Sequence, residues 1–189
     1  KKNNNKKNLF KKKSLKILSI GRLTSQKDHI TLLKAAGHIN PNLNPEILII
    51  GKGSEYYNLK NYIKNNNLKN IVKLLGYKKQ PYPYIQKADI FVLTSKYEGL
   101  PNVLLEAQYL KKYIISTNCP TGPREILLNG RAGDLFDVGD YKKLASIINK
   151  YSFNKKNILI KINSGLKNFR RFDHIENCNK YYNFVSKNF

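Results

Sequence analysis

Two glutamates lie on either side of a predicted strand–turn–helix junction, and they carry the clearest chemistry in the sequence. Residues 95–107 read Ser-Lys-Tyr-Glu-Gly-Leu-Pro-Asn-Val-Leu-Leu-Glu-Ala, which places Glu98 in the turn and Glu106 in the helix. An apolar run at 90–93 precedes them, and Pro101 stands where the first helical position is expected. A helix N-terminus presents unpaired N–H groups and a partial positive charge, so this junction could hold a phosphate.

The spacing of the two carboxylates decides what they could do. Paired carboxylates can form the acid/base pair of a glycosidase. A helix rises by about 1.5 Å per residue, however, which would place Glu106 more than about 7 Å from the helix N-terminus. We therefore interpret them as acting separately along one extended ligand, one on sugar hydroxyls and the other on a ribose. A structural explanation stays open for each: Glu106 as a helix-surface residue, and Glu98 as an acid that complements the helix dipole.

Two cations follow the first predicted strand at its carboxyl end. The run at 21–28 reads Gly-Arg-Leu-Thr-Ser-Gln-Lys-Asp. Gly21 allows a sharp turn and a close approach of the backbone to a ligand. Arg22 and Lys27 could neutralise a diphosphate, above all when it becomes a leaving group. The alternative is an ordinary Arg and Lys at a solvated helix start.

Short apolar segments alternate with helical patterns along the chain, which predicts an α/β fold. The predicted strands are 15–20, 46–50, 71–75, 88–94, 113–117 and a last one within 130–136. The predicted helices are 28–39, 55–66 with Ser54 as its N-cap, 81–87, one following the strand–turn junction, a short one starting at 122–123, 141–151 and one or two more up to 189. Such short strands, apolar throughout, imply a Rossmann-like parallel sheet of about six strands with helices on both faces. These sheets bind ligands beyond the carboxyl ends of their strands, where the glycine turns fall.

Composition and charge narrow the class of protein further. The formal charge of +23 is typical of partners such as nucleic acid or an anionic membrane. Nearly all of the positive charge is Lys, in a chain without Met or Trp, so we favour a solvated lysine-rich surface. Peripheral contact with an anionic membrane is the alternative. We expect no nucleic-acid partner. No apolar run approaches a membrane span, and the first residues do not show the pattern of a signal peptide. Cys119 and Cys178 are predicted to be free thiols in a reducing cytoplasm.

The predicted domain organisation has three parts. Residues 1–14 are rich in Lys and Asn and predict a flexible basic tail or the end of a linker. Residues 15–151 form the Rossmann-like domain, and 152–189 add carboxyl-terminal helices. The first residue is not Met, and we expect a fragment of a longer chain.

The order of these motifs along residues 16–151 resembles family 4 of the glycosyltransferases. In chain order they are Gly-Arg-Leu-Thr-x-x-Lys, Gly-x-Gly, Gly-Tyr, Ser-x-x-Glu-Gly-Leu-Pro-Asn-x-x-Leu-Glu-Ala, Gly-Pro-x-Glu-Ile and Asn-Gly-x-x-Gly. The Glu-x7-Glu pattern in its Glu-Gly-Leu-Pro setting is the most specific of them. The resemblance implies the carboxyl-terminal, donor-binding half of a two-domain GT-B fold.

The resemblance also implies roles at matching positions. Arg22 and Lys27 would bind the diphosphate of a nucleotide-sugar, Glu98 would face the donor sugar, and Glu106 would hold the ribose hydroxyls. Other donor-binding positions would lie at the helix N-terminus or around the nucleoside: Gly21, Gly51, Gly53, Gly76, Tyr77, Gly99, Leu100 and Asn102.

The reaction implied by the resemblance is a retaining sugar transfer that needs no metal and no cofactor, often from a UDP-linked donor. The stretch 119–127 resembles bacterial members that build cell-surface polysaccharides or lipid-linked glycans. The acceptor domain that precedes this half in the family is missing, so we expect the chain alone to bind a donor without catalysing transfer. The resemblance places the enzyme in the cytoplasm, with contact at the inner face of the membrane as an alternative.

The three histidines match no family position. His29 and His38 are interpreted as helix-surface residues and His174 as part of a terminal helix. The segment 172–189 is predicted to expose an apolar face toward the missing domain. Two other functions stay open: a basic Rossmann-like interaction module without catalysis, and a sugar-nucleotide epimerase of related fold.

Overall fold

A computed structural model describes residues 9–188, and side chains as far as residue 186. Six strands form one sheet in the order β3-β2-β1-β4-β5-β6, and every neighbouring pair is parallel. The strands are β1 (Leu15–Ile20), β2 (Pro45–Ile50), β3 (Val72–Leu74), β4 (Ile90–Leu93), β5 (Tyr113–Thr117) and β6 (Asp134–Phe136). The predicted six-stranded parallel sheet is therefore confirmed. Strand order reverses between β1 and β4, which makes the crevice beyond their carboxyl ends the expected ligand position.

Eight helices occur in the part of the chain that the structure describes. They are α1 (His29–Ala36), α2 (Tyr56–Asn65), α3 (Tyr82–Lys87), α4 (Asn102–Tyr109), α5 (Pro123–Ile126), α6 (Tyr141–Asn149), α7 (Lys155–Asn168) and α8 (His174–Asn188). Short 3-10 turns occur at Pro41–Leu43, Leu128–Gly130 and Phe169–Phe172.

Two predicted helix starts are wrong by one residue. Glu55, not Ser54, occupies the N-cap of α2 and makes no side-chain cap. Its backbone N–H donates to the Leu23 carbonyl at 2.9 Å, so the turn after β2 continues through Glu55 and the helix begins at Tyr56. Pro101 is the N-cap of α4 with extended backbone, rather than its first helical residue.

The core lies in two layers, one on each face of the sheet. Successive residues of β1, Ile17 and Leu18, are fully buried in opposite layers. All four residues of β4 are buried. Each such aliphatic side chain contributes about 1.5–3 kcal/mol when it leaves water, so apolar pairs of this kind fix the sheet between its helices.

Part of the predicted tail packs on the domain. Phe10 is 6% exposed and lies in the core layer that includes Leu48 and Phe91. The Lys11 backbone N–H donates to the Glu46 carboxylate at 2.5 Å, and that buried carboxylate also pairs with Lys73 at 2.7 Å. Residues 9–14 are therefore attached to the sheet rather than flexible, because an apolar anchor and a buried acceptor hold them. Residues 1–8 of the predicted tail lie outside the described residues.

The carboxyl-terminal helices differ in how they pack. In α7, Ile158 is buried in one core layer, while Gly165 lies against the Gln108 side chain of α4, which packs on the other face. Helix α7 therefore passes from one face of the sheet to the other. Helix α8 exposes Ile175, Tyr181 and Tyr182. No helix in residues 9–188 has the length and apolarity needed to cross a membrane. Both cysteines are free thiols, as predicted.

Candidate functional site

A cleft of about 670 Å³ opens at the carboxyl ends of β1, β2 and β4. It takes its walls from the turns after these strands, from the loop between β3 and α3, from α3 and from the first two turns of α4. Nine of the residues predicted from the sequence line it: Gly21, Arg22, Lys27, Gly51, Tyr77, Glu98, Leu100, Asn102 and Glu106. The fold thus brings together residues that are more than 80 positions apart in the sequence.

An ion pair between Lys27 and Glu98 lies at one side of the cleft. The two charged atoms, Lys27 Nζ and Glu98 Oε1, are 2.5 Å apart, and the side chains are only 15% and 7% exposed. Ser95 Oγ donates to the same carboxylate oxygen at 2.5 Å. Thr94 Oγ1 donates to the Lys27 carbonyl at 2.9 Å. The turn after β4 and the turn after β1 therefore hold each other's charged groups in place.

Gln26 strengthens this link, and sequence reasoning missed it. Its side-chain amide donates to the Tyr97 carbonyl at 3.0 Å, and its backbone carbonyl accepts from Lys96 N–H at 2.8 Å. Its side-chain oxygen also accepts from Arg22 Nη2 at 3.3 Å. Arg22 is otherwise exposed, so its guanidinium reaches the cleft from the solvent side.

Glu106 lies in the second turn of α4, after the helix begins at Asn102. Its side chain is half-buried, and burial raises the pKa of its carboxyl above the ordinary value. Its carboxylate forms no hydrogen bond or ion pair with any residue of 9–188. A partly desolvated carboxylate without a partner is suited to accept hydroxyl groups from a bound ligand.

Close backbone packing explains the glycines of the site. A Cβ on Gly51 would stand 1.8 Å from the Gly21 carbonyl oxygen, so these two turns can only pack against each other with glycine at 51. A Cβ on Gly53 would stand 2.3 Å from the Leu23 carbonyl oxygen. Gly53 therefore serves the packing of the turn. It was predicted to be a donor-binding residue, but it does not line the cleft.

Two more predicted donor-binding glycines lie outside the cleft wall. Gly76 has φ +67°, a left-handed conformation that favours glycine, and its carbonyl accepts from Gly51 N–H at 3.0 Å. The Gly99 carbonyl packs under Gly122, where a Cβ would stand 2.0 Å from its oxygen. Both glycines shape turns behind residues that do line the cleft.

His29 is buried, so its interpretation as a helix-surface residue is wrong. It begins α1 and is 3% exposed, because the first turn of this helix faces the sheet. Its Nδ1 lies 3.4 Å from Ser19 Oγ, and its Nε2 has no hydrogen-bond partner among the described residues. Burial lowers the pKa of His29 to about 4, and the nearby cation of Lys27 acts in the same direction. The imidazole is therefore neutral near pH 7, directly behind Gly21.

The other two histidines are exposed, as predicted: His38 in the turn that follows α1, and His174 as the first residue of α8. In the part of the chain that the structure describes, no three His, Cys, Asp or Glu side chains come close enough to hold a metal ion.

Three lysines of the cleft wall were also missed, since a lysine-rich sequence gives no signal that separates them from the surface. These are Lys52, Lys78 and Lys79. Lys52 Nζ lies 5.7 Å from the centre of the Tyr77 ring. With Arg22 and Lys27 they make five cations against two carboxylates in the wall, and this surplus of positive charge attracts an anionic ligand.

Comparison with known proteins gives the chain a family context. The sequence model of the family described as glycosyl transferases group 1 matches residues 1–161. An uncharacterized glycosyltransferase of Methanocaldococcus jannaschii is 40% identical over 121 residues, which are 64% of this chain and 30% of that protein. An Escherichia coli UDP-Gal:alpha-D-GlcNAc-diphosphoundecaprenol alpha-1,3-galactosyltransferase is 30% identical over 177 residues, which are 88% of this chain and 46% of that enzyme. The chain thus spans less than half the length of either relative.

Solved structures agree on the fold. Anabaena HepE, crystallised in complex with UDP, superposes with a TM-score of 0.82 at 20% identity, over 94% of this chain and 50% of that one. Staphylococcus aureus TarM superposes with a TM-score of 0.81 at 22% identity, over 90% of this chain and 35% of that one. At these identities the likeness establishes the architecture, and it confirms the predicted GT-B type of sheet and helices.

Proposed function

The chain belongs to the glycosyl transferases group 1 family, and from this membership we propose that it is the donor-binding half of a retaining glycosyltransferase. The donor is a nucleotide-sugar, in our proposal a UDP-linked one. One observation carries the proposal: two cations and two carboxylates from distant parts of the sequence line one cleft at the reversal point of the sheet.

Each side chain has a task along the donor. Arg22 and Lys27 bind the diphosphate and stabilise its growing negative charge when the bond to the sugar breaks. Glu98 faces the sugar and accepts its hydroxyl groups. Glu106, with no partner in the described residues, accepts the ribose hydroxyls. Tyr77 and Gly51 border the nucleoside. Lysine and arginine supply the charge neutralisation, so the proposed reaction needs neither a metal nor another cofactor.

The whole enzyme, in this proposal, has an acceptor domain that precedes this half, and transfer to a glycan or lipid-linked acceptor needs both. The E. coli relative is named for a diphosphoundecaprenol acceptor, which supports a place in cell-surface glycan synthesis. We place the enzyme in the cytoplasm. Its net charge of +23 favours peripheral contact with the anionic inner face of the membrane.

Calorimetric titration of the full chain with UDP tests the donor site. Lys27→Ala should weaken UDP binding by at least about tenfold, since it removes a charge-assisted contact worth about 1.5–3 kcal/mol. Glu106→Gln should weaken it less, because an amide oxygen still accepts one ribose hydroxyl. The matched controls are Lys64→Ala and Glu176→Gln, both exposed and away from the cleft.

Equal UDP affinity in all four variants would refute the donor-site assignment. A parallel titration with mixed-sequence RNA at rising salt tests the interaction-module alternative. RNA binding that is tighter than UDP binding and insensitive to Lys27→Ala would favour that alternative, because nonspecific binding draws on the whole lysine surface.

A further inference from the structure

A second cavity, of about 640 Å³, opens beyond the carboxyl end of β5 and shares no lining residue with the donor cleft. Its polar wall consists of Asn118, Thr121, Arg124, Glu125 and Asn129. These residues come from the loop after β5, from α5 and from the turn that follows α5. The family roles described above use none of them.

The polar groups of this cavity are largely unpaired. Arg124 Nε donates to Asn118 Oδ1 at 2.8 Å, which orients the guanidinium. Its terminal nitrogens, the Glu125 carboxylate and the Asn129 amide form no hydrogen bond or ion pair with other residues in the described range. Arg124 and Glu125 are neighbours in sequence, yet they do not neutralise each other. Arg124, Glu125 and Asn129 are exposed, so these converging donors and acceptors are open to water or to a polar ligand that enters the cavity.

The loops around the cavity have an unusual backbone. Thr121 has φ +65°, Leu128 φ +53° and Asn129 φ +54°. Left-handed conformations are common for Asn but costly for Leu and for a β-branched residue such as Thr. Such conformations persist where the surrounding structure enforces them, and they cluster at functional sites.

Contacts fix the position of the cavity relative to Glu98. Thr121 Oγ1 donates to the Glu98 carbonyl. Gly122 packs directly on the Gly99 carbonyl. The cavity therefore lies across the Glu98 turn from Arg22 and Lys27. If Glu98 faces the donor sugar, this cavity lies next to the sugar end of the donor.

The chemistry of the wall selects the ligand. One guanidinium and one carboxylate balance in charge, so an anionic group has no particular advantage there. Amide, hydroxyl, carboxylate and guanidinium groups together offer alternating donors and acceptors, which match the hydroxyl groups of a sugar ring. Resting on the function proposed above, we propose that this cavity is an acceptor subsite that binds a neutral, hydroxyl-rich glycan unit.

The test uses the full chain labelled with ¹⁵N, with its donor site saturated by UDP, and methyl α-D-glucopyranoside as the probe. The expected result is saturable shifts of the Asn118 and Asn129 side-chain amide signals, at a Kd in the millimolar range. Arg124→Ala should weaken probe binding by about tenfold, because it removes a charged donor and releases Asn118. Arg131→Ala is the matched control: Arg131 is an exposed arginine of the same region that does not line the cavity, and its variant should stay within about twofold of wild type.

Asn129→Gly guards against a folding artefact, since glycine keeps the left-handed backbone while losing the amide. It should also weaken the probe, with UDP affinity unchanged. Three outcomes would each overturn the acceptor subsite. They are signal shifts confined to Lys27 and Ser95, equal effects of Arg124→Ala and Arg131→Ala on probe binding, and no saturable shift up to about 50 mM probe. Loss of UDP binding in wild type would instead overturn the donor proposal, and the Asn118 and Asn129 signals would still report on sugar binding.

Discussion

Replacing Glu98 by Gln removes the negative charge from the Lys27–Glu98 ion pair of the donor cleft. In the free protein Lys27 is neutralised by a carboxylate 2.5 Å away, with both side chains largely shielded from water. An incoming diphosphate must therefore share Lys27 with Glu98 and meet the repulsion of that carboxylate. Glutamine keeps the shape and can still accept hydrogen bonds from Lys27 and Ser95, but it removes the negative charge.

Two effects of opposite sign follow. Two unit charges at roughly 7 Å in an effective dielectric of about 20 interact by about 2 kcal/mol. Removing the repulsion should therefore tighten the binding of UDP by about tenfold, ~1.4 kcal/mol. Breaking a buried ion pair costs about 3–5 kcal/mol when one charge is left without its partner. We expect a loss of about 3 kcal/mol in the free energy of unfolding, since the glutamine oxygen still faces the ammonium.

Calorimetry with UDP and urea unfolding measure the two effects on the same preparations. Glu176→Gln is the control, an exposed glutamate that lines neither cavity, and it should change neither value by more than about 0.5 kcal/mol. Weaker or unchanged UDP binding in Glu98→Gln, with the fold intact by circular dichroism, would refute the idea that Glu98 competes with the diphosphate for Lys27.

Three further predictions concern stability. The pKa of His29 is about 4 in the folded chain against an ordinary 6.5, so the unfolded chain binds more protons between these pH values. As the pH falls from about 6.5 to 4, the free energy of unfolding of the wild type should drop by up to about 3 kcal/mol relative to His29→Gln. Urea unfolding measures this difference, and parallel pH profiles of the two proteins would contradict it. Gly51→Ala should abolish UDP binding and lower the melting temperature strongly, because the new Cβ meets the Gly21 carbonyl. Gly76→Ala meets no neighbouring atom, and its positive φ should lower the free energy of unfolding by only about 1 kcal/mol. Equal effects of the two substitutions would show that the turns can separate. Phe10→Ala should lower the free energy of unfolding by about 3 kcal/mol because the ring is buried, and a change below about 0.5 kcal/mol would mean that this segment does not hold to the sheet in solution.

The strands were predictable mainly because the sheet is covered on both faces: every residue of β2, β4 and β5 is buried, and most of these residues are apolar. Strands β1 and β5 were predicted at their observed bounds, and the others differ by a few residues at their ends. Arg22, Lys27, Glu98 and Glu106 were predictable for another reason: they follow strands whose carboxyl ends must meet at one edge of a parallel sheet.

What the sequence could not reveal depends on packing between distant segments. His29 is buried because the turn after β1 folds back over it, and no local pattern records that. Gly53 looked like a ligand-binding glycine, but its contact with the Leu23 carbonyl requires it, and the Gly99 carbonyl in turn requires glycine at 122. Gln26 gave no signal, because its partners are about 70 positions away.

The links between the turn after β1 and the turn after β4 have a consequence for how a donor is recognised. Lys27 and Gln26 bind Glu98, Tyr97, Lys96 and Thr94 of the facing turn through side chains and backbone together. Because these contacts hold both turns before a donor arrives, little conformational freedom remains to be lost when the nucleotide end and the sugar end of the donor bind.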